Sequence, residues 1–188
     1  MHKSCGAVIV DNRHSISHIA AVNHSRFIPD SWPVILFREF EFLSNNDYNR
    51  ILTSTSFWKD LKLDKVLIFQ HDSQLLRHGI EEFLEYDFIG APLYHIPMPA
   101  MNGGLSLRNT SKMLEIIEKY PYQGMPIHGN EDIYFCNHMN LVGGKLPTKE
   151  VAQQFSVETI FELGSLGVHA IEKWHTPEKC EEILNQYK

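Results

Sequence analysis

The stretch Lys65-Val66-Leu67-Ile68-Phe69-Gln70-His71-Asp72-Ser73 decides the predicted fold. Its apolar run from Val66 to Phe69 is typical of a strand buried on both faces of a parallel sheet. Polar side chains follow abruptly, and in open α/β sheets ligands bind just beyond the carboxyl ends of the strands. The stretch therefore predicts a buried strand that delivers Asp72 to the mouth of a cleft. The alternative is that Asp72 only caps a following turn or helix.

The flanking sequence extends this strand into an α/β fold. Residues 7–10 and 33–37 are apolar runs, and residues 15–27 between them have helical spacing, which together predict a right-handed βαβ unit. Further strands are predicted at 86–92 and 105–108, extended pieces at 146–147 and 155–158, and loops at 93–101, 122–129 and 164–169. Helices are predicted at 49–61, 79–85 and 110–120, from Glu131 (capped by Asn130) to Gly143, and from Pro177 onward.

Composition bounds the class of protein. A chain of 188 residues with 43% hydrophobic and 21% charged residues suits one globular domain. The net charge of -6 gives no general attraction to nucleic acid. Three widely separated cysteines form neither a disulfide framework nor zinc spacing, which favours a reducing compartment. We see no signal peptide in residues 1–5 and no apolar run of membrane length, so we expect no integral membrane segment.

Glu131-Asp132 is the first candidate for chemistry. Asp132 shares a helical face with Phe135, Cys136 and Met139, which places a carboxylate on the buried stripe of the predicted helix. Burying an unpaired carboxylate costs several kcal/mol, so we expect a partner or a function for it. The alternative is that both acids only complement the helix dipole.

Three further segments are weaker candidates. Asp72, with Gln70 and His71, could hold Mg²⁺ or Mn²⁺ together with a bound diphosphate, although Gln70 stands where the first acid of an Asp-x-Asp pair would be. Residues 102–104, Asn-Gly-Gly, let a ligand approach the main chain or simply form a tight turn. His169 is a potential metal ligand or an ordinary loop histidine.

Together these segments resemble glycosyltransferases of the GT-A fold. The resemblance is closer to a family of small glycosyltransferase-like proteins of unknown function, and it runs from about residue 48 to 174. It rests on segments 66–73 (Val-Leu-Ile-Phe-Gln-His-Asp-Ser), 86–92 (Tyr-Asp-Phe-Ile-Gly-Ala-Pro), 102–108 (Asn-Gly-Gly-Leu-Ser-Leu-Arg), 130–132 (Asn-Glu-Asp), 152–158 (Ala-Gln-Gln-Phe-Ser-Val-Glu) and 167–169 (Gly-Val-His).

The resemblance implies a single GT-A-like (Rossmann-like) domain over residues 1–188, with a mostly parallel central sheet flanked by helices. It implies that Asp132 and Glu131 are catalytic, with Asp132 as general base in an inverting reaction. Asp72 and His169 would hold a divalent cation, Mn²⁺ or Mg²⁺. The donor would be bound by Asp11, Arg13, Gln70, His71, Asp72, Asn102, Gly103, Gly104 and Arg108.

The implied reaction moves a sugar from a UDP-, GDP- or dTDP-linked donor to a glycan or other hydroxyl acceptor. We expect a cytoplasmic protein, with the inner membrane surface as the alternative location if the acceptor is lipid-linked. Three other functions stay open: a non-catalytic nucleotide or glycan binding module, which Gln70 favours, a nucleotidyltransferase, and a purely structural interaction domain. A nucleotidyltransferase usually has a glycine-rich loop after the first strand, and residues 11–15 contain no glycine.

Overall fold

Strand β3 (Lys65–Phe69) forms as predicted, and all five of its residues are buried. The computed structural model describes residues 4–38 and 44–188. The prediction that no signal peptide occupies residues 1–5 falls partly on residues 1–3, which lie outside the described residues. No helix within the described ranges is both long and apolar enough to cross a membrane.

Within these ranges, β3 is the central strand of a five-stranded sheet. The other members are β1 (Cys5–Val10), β2 (Val34–Phe37), β5 (Phe88–Pro92) and β6 (Met101–Asn109), in the order β2-β1-β3-β6-β5. β1 is parallel to both β2 and β3, whereas β6 is antiparallel to β3 and β5. Four of these strands therefore point the same way, and the predicted mostly parallel sheet flanked by helices is confirmed.

The helix between β1 and β2 is α1 (His14–Ser25), as the βαβ pattern predicts. The apolar spacing does not mark its buried face, however. Ile16 and Ile19 are exposed, and the helix packs through Ser17, Ala20, Ala21 and His24.

The prediction of one helix over residues 49–61 is corrected to two, which are separated at residues 53 and 54. They are α2 (Asn45–Leu52) and α3 (Thr55–Leu61). The chain breaks between them because the Ser54 hydroxyl accepts a hydrogen bond from the Phe57 amide and starts a new helix.

The remaining helices lie in the second half of the chain. They are α4 (Thr110–Lys119), α5 (Glu131–Met139), α6 (Lys149–Phe155) and α7 (Pro177–Asn185), with 3-10 turns at Ile80–Phe83, Asn140–Val142 and Ile171–Lys173. The prediction of an extended piece from residue 155 is corrected at Phe155, which ends α6. The short helix predicted at 79–85 is the first of the 3-10 turns.

A small second sheet was not predicted. It contains β4 (Ser73–Leu75), β7 (Ser156–Val157) and β8 (Gly167–His169), in the order β4-β8-β7. The loop predicted over residues 164–169 is therefore wrong, because its last three residues pair with β4 and Ser73 lies opposite His169. This pairing brings His169 beside Asp72, whose carbonyl accepts a hydrogen bond from the Ala170 amide at 2.9 Å.

Candidate active site

A cavity of about 590 Å³ opens where β1 and β3 end. It is lined by residues 10–13, 44, 45, 48, 49, 70, 71, 102–104 and 130–132. Nine of the predicted site residues thus share one cavity: Asp11, Arg13, Gln70, His71, Asn102, Gly103, Gly104, Glu131 and Asp132. The structure brings them together, and their roles stay predictions.

Asp132 lies in the first turn of α5, on the predicted buried stripe with Phe135 and Met139. Its Oδ2 accepts a hydrogen bond from the Gly103 amide at 2.9 Å, and its Oδ1 accepts one from the Ile133 amide at 2.8 Å. Burial and the neighbouring charge of Glu131 raise the pKa of Asp132 to about 6, although the two hydrogen bonds alone would lower it. The result is a fixed carboxylate in a cavity with a pKa near neutrality.

Glu131 is held by Arg108 in a fully buried bidentate ion pair. Arg108 also donates to Ser106 Oγ at 2.8 Å and to the Gly103 carbonyl at 3.2 Å, and its guanidinium lies over the Phe88 ring. The guanidinium nitrogens of Arg108 therefore donate to groups behind the cavity wall. The structure therefore does not bring Arg108 into the cavity as the donor-binding prediction requires, but places it where it fixes both Glu131 and Gly103.

Asn49, on α2, performs the cap that was predicted for Asn130. Asn130 occupies the N-cap position, but its side chain makes no capping hydrogen bond. The Asn49 Oδ1 accepts from the Glu131 amide at 3.0 Å, and its Nδ2 donates to Asn130 Oδ1 at 3.3 Å. The start of α5 is thus fixed by a residue that is distant in sequence.

His169 is surrounded by oxygen atoms. Its Nε2 lies 3.0 Å from Gln70 Oε1 and 3.3 Å from Asp72 Oδ1, and its Nδ1 lies 3.4 Å from Glu158 Oε1. Although burial disfavours the charged ring, Asp72 and Glu158 raise the pKa of His169 to about 9. Asp72 is itself partly buried, which would raise its pKa. His169 and Lys173 nevertheless hold the pKa of Asp72 far below its ordinary range.

The donor set around His169 fits a divalent cation once Gln70 is included. In the described ranges, no group of three or more His, Cys, Asp and Glu side chains is arranged to hold a metal ion. Gln70 Oε1, Asp72 Oδ1 and His169 Nε2 nevertheless converge, and Asp72 Oδ1 is a buried oxygen that accepts no hydrogen bond from the residues the structure describes. Glu158 at Nδ1 would orient the ring, as carboxylates do for metal-bound histidines. Since only neutral imidazole binds a metal ion, binding of the cation would release the proton on His169 Nε2.

Asp72 does not line the large cavity. It lines a neighbouring one of about 290 Å³, and His71 lies on the boundary between the two. His71 Nδ1 is 3.0 Å from an Arg13 guanidinium nitrogen, and Arg13 is paired with Asp11. Although burial opposes it, hydrogen bonds from Arg13 lower the pKa of Asp11. The rim between the cavities therefore carries a cation beside a buried carboxylate.

Gly103 and Gly104 separate Asp132 from His169. The alternative of a tight turn at residues 102–104 is excluded, because they belong to β6, and the Gly104 carbonyl accepts from the Gln70 amide at 2.8 Å. Successive side chains of a strand point to opposite faces. A Cβ on Gly103 would lie 2.9 Å from the Asp132 Cβ, and one on Gly104 would overlap the His169 ring. With no side chain at either position, the main chain of β6 lies close to both Asp132 and His169.

We expect Gly104→Ala to disrupt the site. The added methyl group overlaps His169, so the ring must leave Gln70 and Asp72. Nucleoside diphosphate binding, measured by titration calorimetry with Mn²⁺, should weaken at least tenfold, which is about 1.4 kcal/mol. Gly124→Ala is the control, because nothing lies within 4 Å of its added Cβ and its cost is only backbone strain at φ +78°. Equal binding by the two variants would show that the glycine pair does not shape the site.

The sequence prediction missed several residues of the site. Tyr48 lines the cavity, and its hydroxyl is buried. Glu158 contacts both His169 and Asn102, and Lys173 donates to Asp72 at 3.0 Å. Glu158 lies in one of the segments that carry the resemblance, which was its only signal, and neither Tyr48 nor Lys173 had one.

A family model matches residues 31–169, which is most of the chain. The chain belongs to the DUF5672 family, whose description is a protein of unknown function. Every candidate residue except Asp11, Arg13 and Lys173 lies inside the matched range of this DUF5672 member. Comparison with curated proteins finds no match.

A solved structure shares the fold of this DUF5672 member. This member is similar to a glycosyltransferase involved in the glycosylation of the major capsid of PBCV-1, with a TM-score of 0.51 and 9% identity over 95% of this chain and 99% of that one. The apo-form glycosyltransferase GlyE of Streptococcus pneumoniae TIGR4 gives a TM-score of 0.47 and 13% identity over 77% of this chain. The chain spans 44% of the length of GlyE. The likeness to the capsid glycosyltransferase concerns the fold.

Proposed function

We propose that this protein transfers a sugar from a nucleoside diphosphate donor to a hydroxyl acceptor with inversion. The observation that carries the proposal is Asp132, a carboxylate fixed by two backbone amides in a cavity at the carboxyl ends of the strands, with a pKa raised to about 6. This is the place where open α/β sheets bind nucleotides. The likeness of the fold to a glycosyltransferase is consistent with this chemistry.

Asp132 acts as the general base in this proposal. It takes the proton from the acceptor hydroxyl while the acceptor oxygen attacks the anomeric carbon, and the bond from that carbon to the diphosphate breaks. Both carboxylate oxygens already accept one backbone hydrogen bond, which fixes their direction and leaves lone pairs for the acceptor. A base with a pKa near 6 is mostly ionised at pH 7 and still accepts a proton effectively.

The leaving diphosphate needs positive charge. Gln70, Asp72 and His169 would hold a divalent cation, Mn²⁺ or Mg²⁺, which when bound supplies a Lewis acid for the diphosphate. Arg13, half exposed at the rim, is the one Arg or Lys among the described residues that line the cavity. The nucleoside would meet the end of β1 at Asp11, and UDP, GDP and dTDP are all candidate carriers.

The test is a thermal-shift panel of UDP, GDP and dTDP, each with and without Mn²⁺. A ligand that binds only the folded state raises Tm, and we expect at least one diphosphate to do so, more strongly with Mn²⁺. Gln70→Ala should remove most of the Mn²⁺ increment, whereas Gln123→Ala, exposed and outside both cavities, should keep it. If no diphosphate raises Tm, the proposal is wrong. Binding without hydrolysis or transfer of any sugar would favour the non-catalytic module.

We expect the transfer rate to fall as the pH is lowered through about 6. The pKa of Asp132 is raised on folding, so the carboxylate is ionised and active above this pH and protonated and inactive below it. Protonation of Asp132 itself favours the folded state, because burial penalises its charge, so this loss of rate is not a loss of fold. Initial rates from pH 5 to 8, with a melting curve at each pH, measure the effect. A flat profile would contradict the assignment of the base.

A further inference from the structure

We infer that Tyr94, His95 and Trp174 form a platform on which a sugar ring of the acceptor stacks. The inference rests on the proposed function and names the acceptor side of the same site. The three rings are in mutual contact, with the His95 and Trp174 rings nearly parallel at 6.0 Å and the Tyr94 ring edge-on to both. We call them the aromatic platform.

The platform is exposed in a way that packing does not explain. Tyr94 is 68% and Trp174 46% exposed, whereas Trp32 and Trp58, the other tryptophans of the chain, are buried. Exposed apolar side chains that lie singly need no explanation, but clustered ones mark contact sites. Aromatic rings with a polar edge suit a ligand that is apolar on one face and polar around its rim, which describes a pyranose ring.

Two sequence neighbours of the platform and its partners tie it to the site. On one side, the Tyr94 amide donates to Thr159 Oγ1 at 2.9 Å, and the preceding residue, Glu158, is bonded to Asn102 in the cavity wall at 3.2 Å. On the other side, Lys173, which precedes Trp174, donates to Asp72 at 3.0 Å. The platform is thus flanked on both sides by residues that touch the candidate site.

The position of the platform selects the acceptor rather than the donor. None of its three residues lines the cavity assigned to the nucleotide. An acceptor has to present one hydroxyl to Asp132 from outside that cavity, so its remaining rings extend onto the surface of the protein. The Lys173 side chain, 66% exposed, has further donors for sugar hydroxyls.

The experiment uses the full chain, fluorescently labelled, on an array of di- and trisaccharides of glucose, galactose, mannose, rhamnose and N-acetylglucosamine. We expect at least one glycan to be bound, Trp174→Ala to weaken that binding at least tenfold, and Trp174→Phe to restore most of it. Tyr187→Ala is the control, because it removes an aromatic ring of similar exposure that lies just after α7 and outside the platform. No bound glycan, or equal binding by Trp174→Ala, would overturn the inference.

Two companion measurements separate the possible failures. The UDP, GDP and dTDP thermal shifts of Trp174→Ala should equal those of the parent chain. If the shifts persist while no glycan binds, the platform inference fails alone, and if neither ligand binds, the proposed function fails with it. Sedimentation velocity tests the other occupant: a dimer of the parent chain that Trp174→Ala dissociates would show a self-association surface and would also overturn the inference.

Discussion

Asp132→Asn is expected to lower kcat for sugar transfer by about 10²–10⁴-fold, the usual worth of general-base help. The amide of Asn cannot take a proton from the acceptor at neutral pH. It keeps one oxygen that can accept the Gly103 hydrogen bond and gives up the bond from the Ile133 amide, which then faces the NH2 group. It also removes a buried charge, which offsets that loss, so the fold should be retained. The measurements are single-turnover rates at saturating donor and the Tm increment produced by the nucleoside diphosphate.

The control for Asp132→Asn is Asp60→Asn, which makes the same chemical change on the exposed surface of α3. We expect this variant to match the parent chain in rate and in Tm increment. If Asp132→Asn keeps near-normal turnover, Asp132 is not the base. If it loses the diphosphate increment as well, Asp132 contributes to donor binding, and the assignment of its role has to change.

Glu131→Gln is expected to lower the free energy of unfolding by about 3–5 kcal/mol, the cost of leaving one member of a buried ion pair without its partner. Arg108 is fully buried, and in the described residues its charged partner at hydrogen-bonding distance is Glu131. Urea unfolding at pH 7 measures the change. Because Arg108 also bonds the Gly103 carbonyl, a shift of Arg108 should also disturb the amide that holds Asp132.

An exposed ion pair provides the comparison for Glu131→Gln. Glu85 pairs with Lys145, and both side chains are more than half exposed. Glu85→Gln should therefore cost far less stability than Glu131→Gln. The double variant Arg108→Met with Glu131→Leu should lose less stability than the sum of its single changes, because it leaves no buried charge unpaired. Equal costs for Glu131→Gln and Glu85→Gln would show that the buried pair has no structural role.

The parts of the fold that were predictable from sequence carry a local pattern. The apolar run of β3 and the periodic stripe of α5 place their residues without reference to the rest of the chain, and both are confirmed. The position of Asp132 on the buried face follows from its spacing to Phe135 and Met139. The same logic failed for α1, because Ile16 and Ile19 have helical spacing and are nevertheless exposed.

The parts that were not predictable depend on contacts between distant segments. Strands β4, β7 and β8 have only two or three residues each, too few for a recognisable period, and they exist because they pair with one another. Asn49 caps a helix that begins 82 residues later in the chain, and no local rule assigns a cap to a residue of another helix. Conversely, the Ser54 cap is local, and it was overlooked in favour of one longer helix.

The small sheet also has a consequence for the dynamics of the protein. Leu76, Val157, Val168, Ile171, Cys180 and Ile183 form a minor cluster apart from the two cores that cover the main sheet. Small contact areas open more readily than large ones, so β7, β8 and α7 form a candidate unit for sub-global opening. His169 is the last residue of β8, and Glu158 directly follows β7. Amide hydrogen exchange in β7, β8 and α7 would then slow on ligand binding. Closure of this unit is then one step of the binding equilibrium.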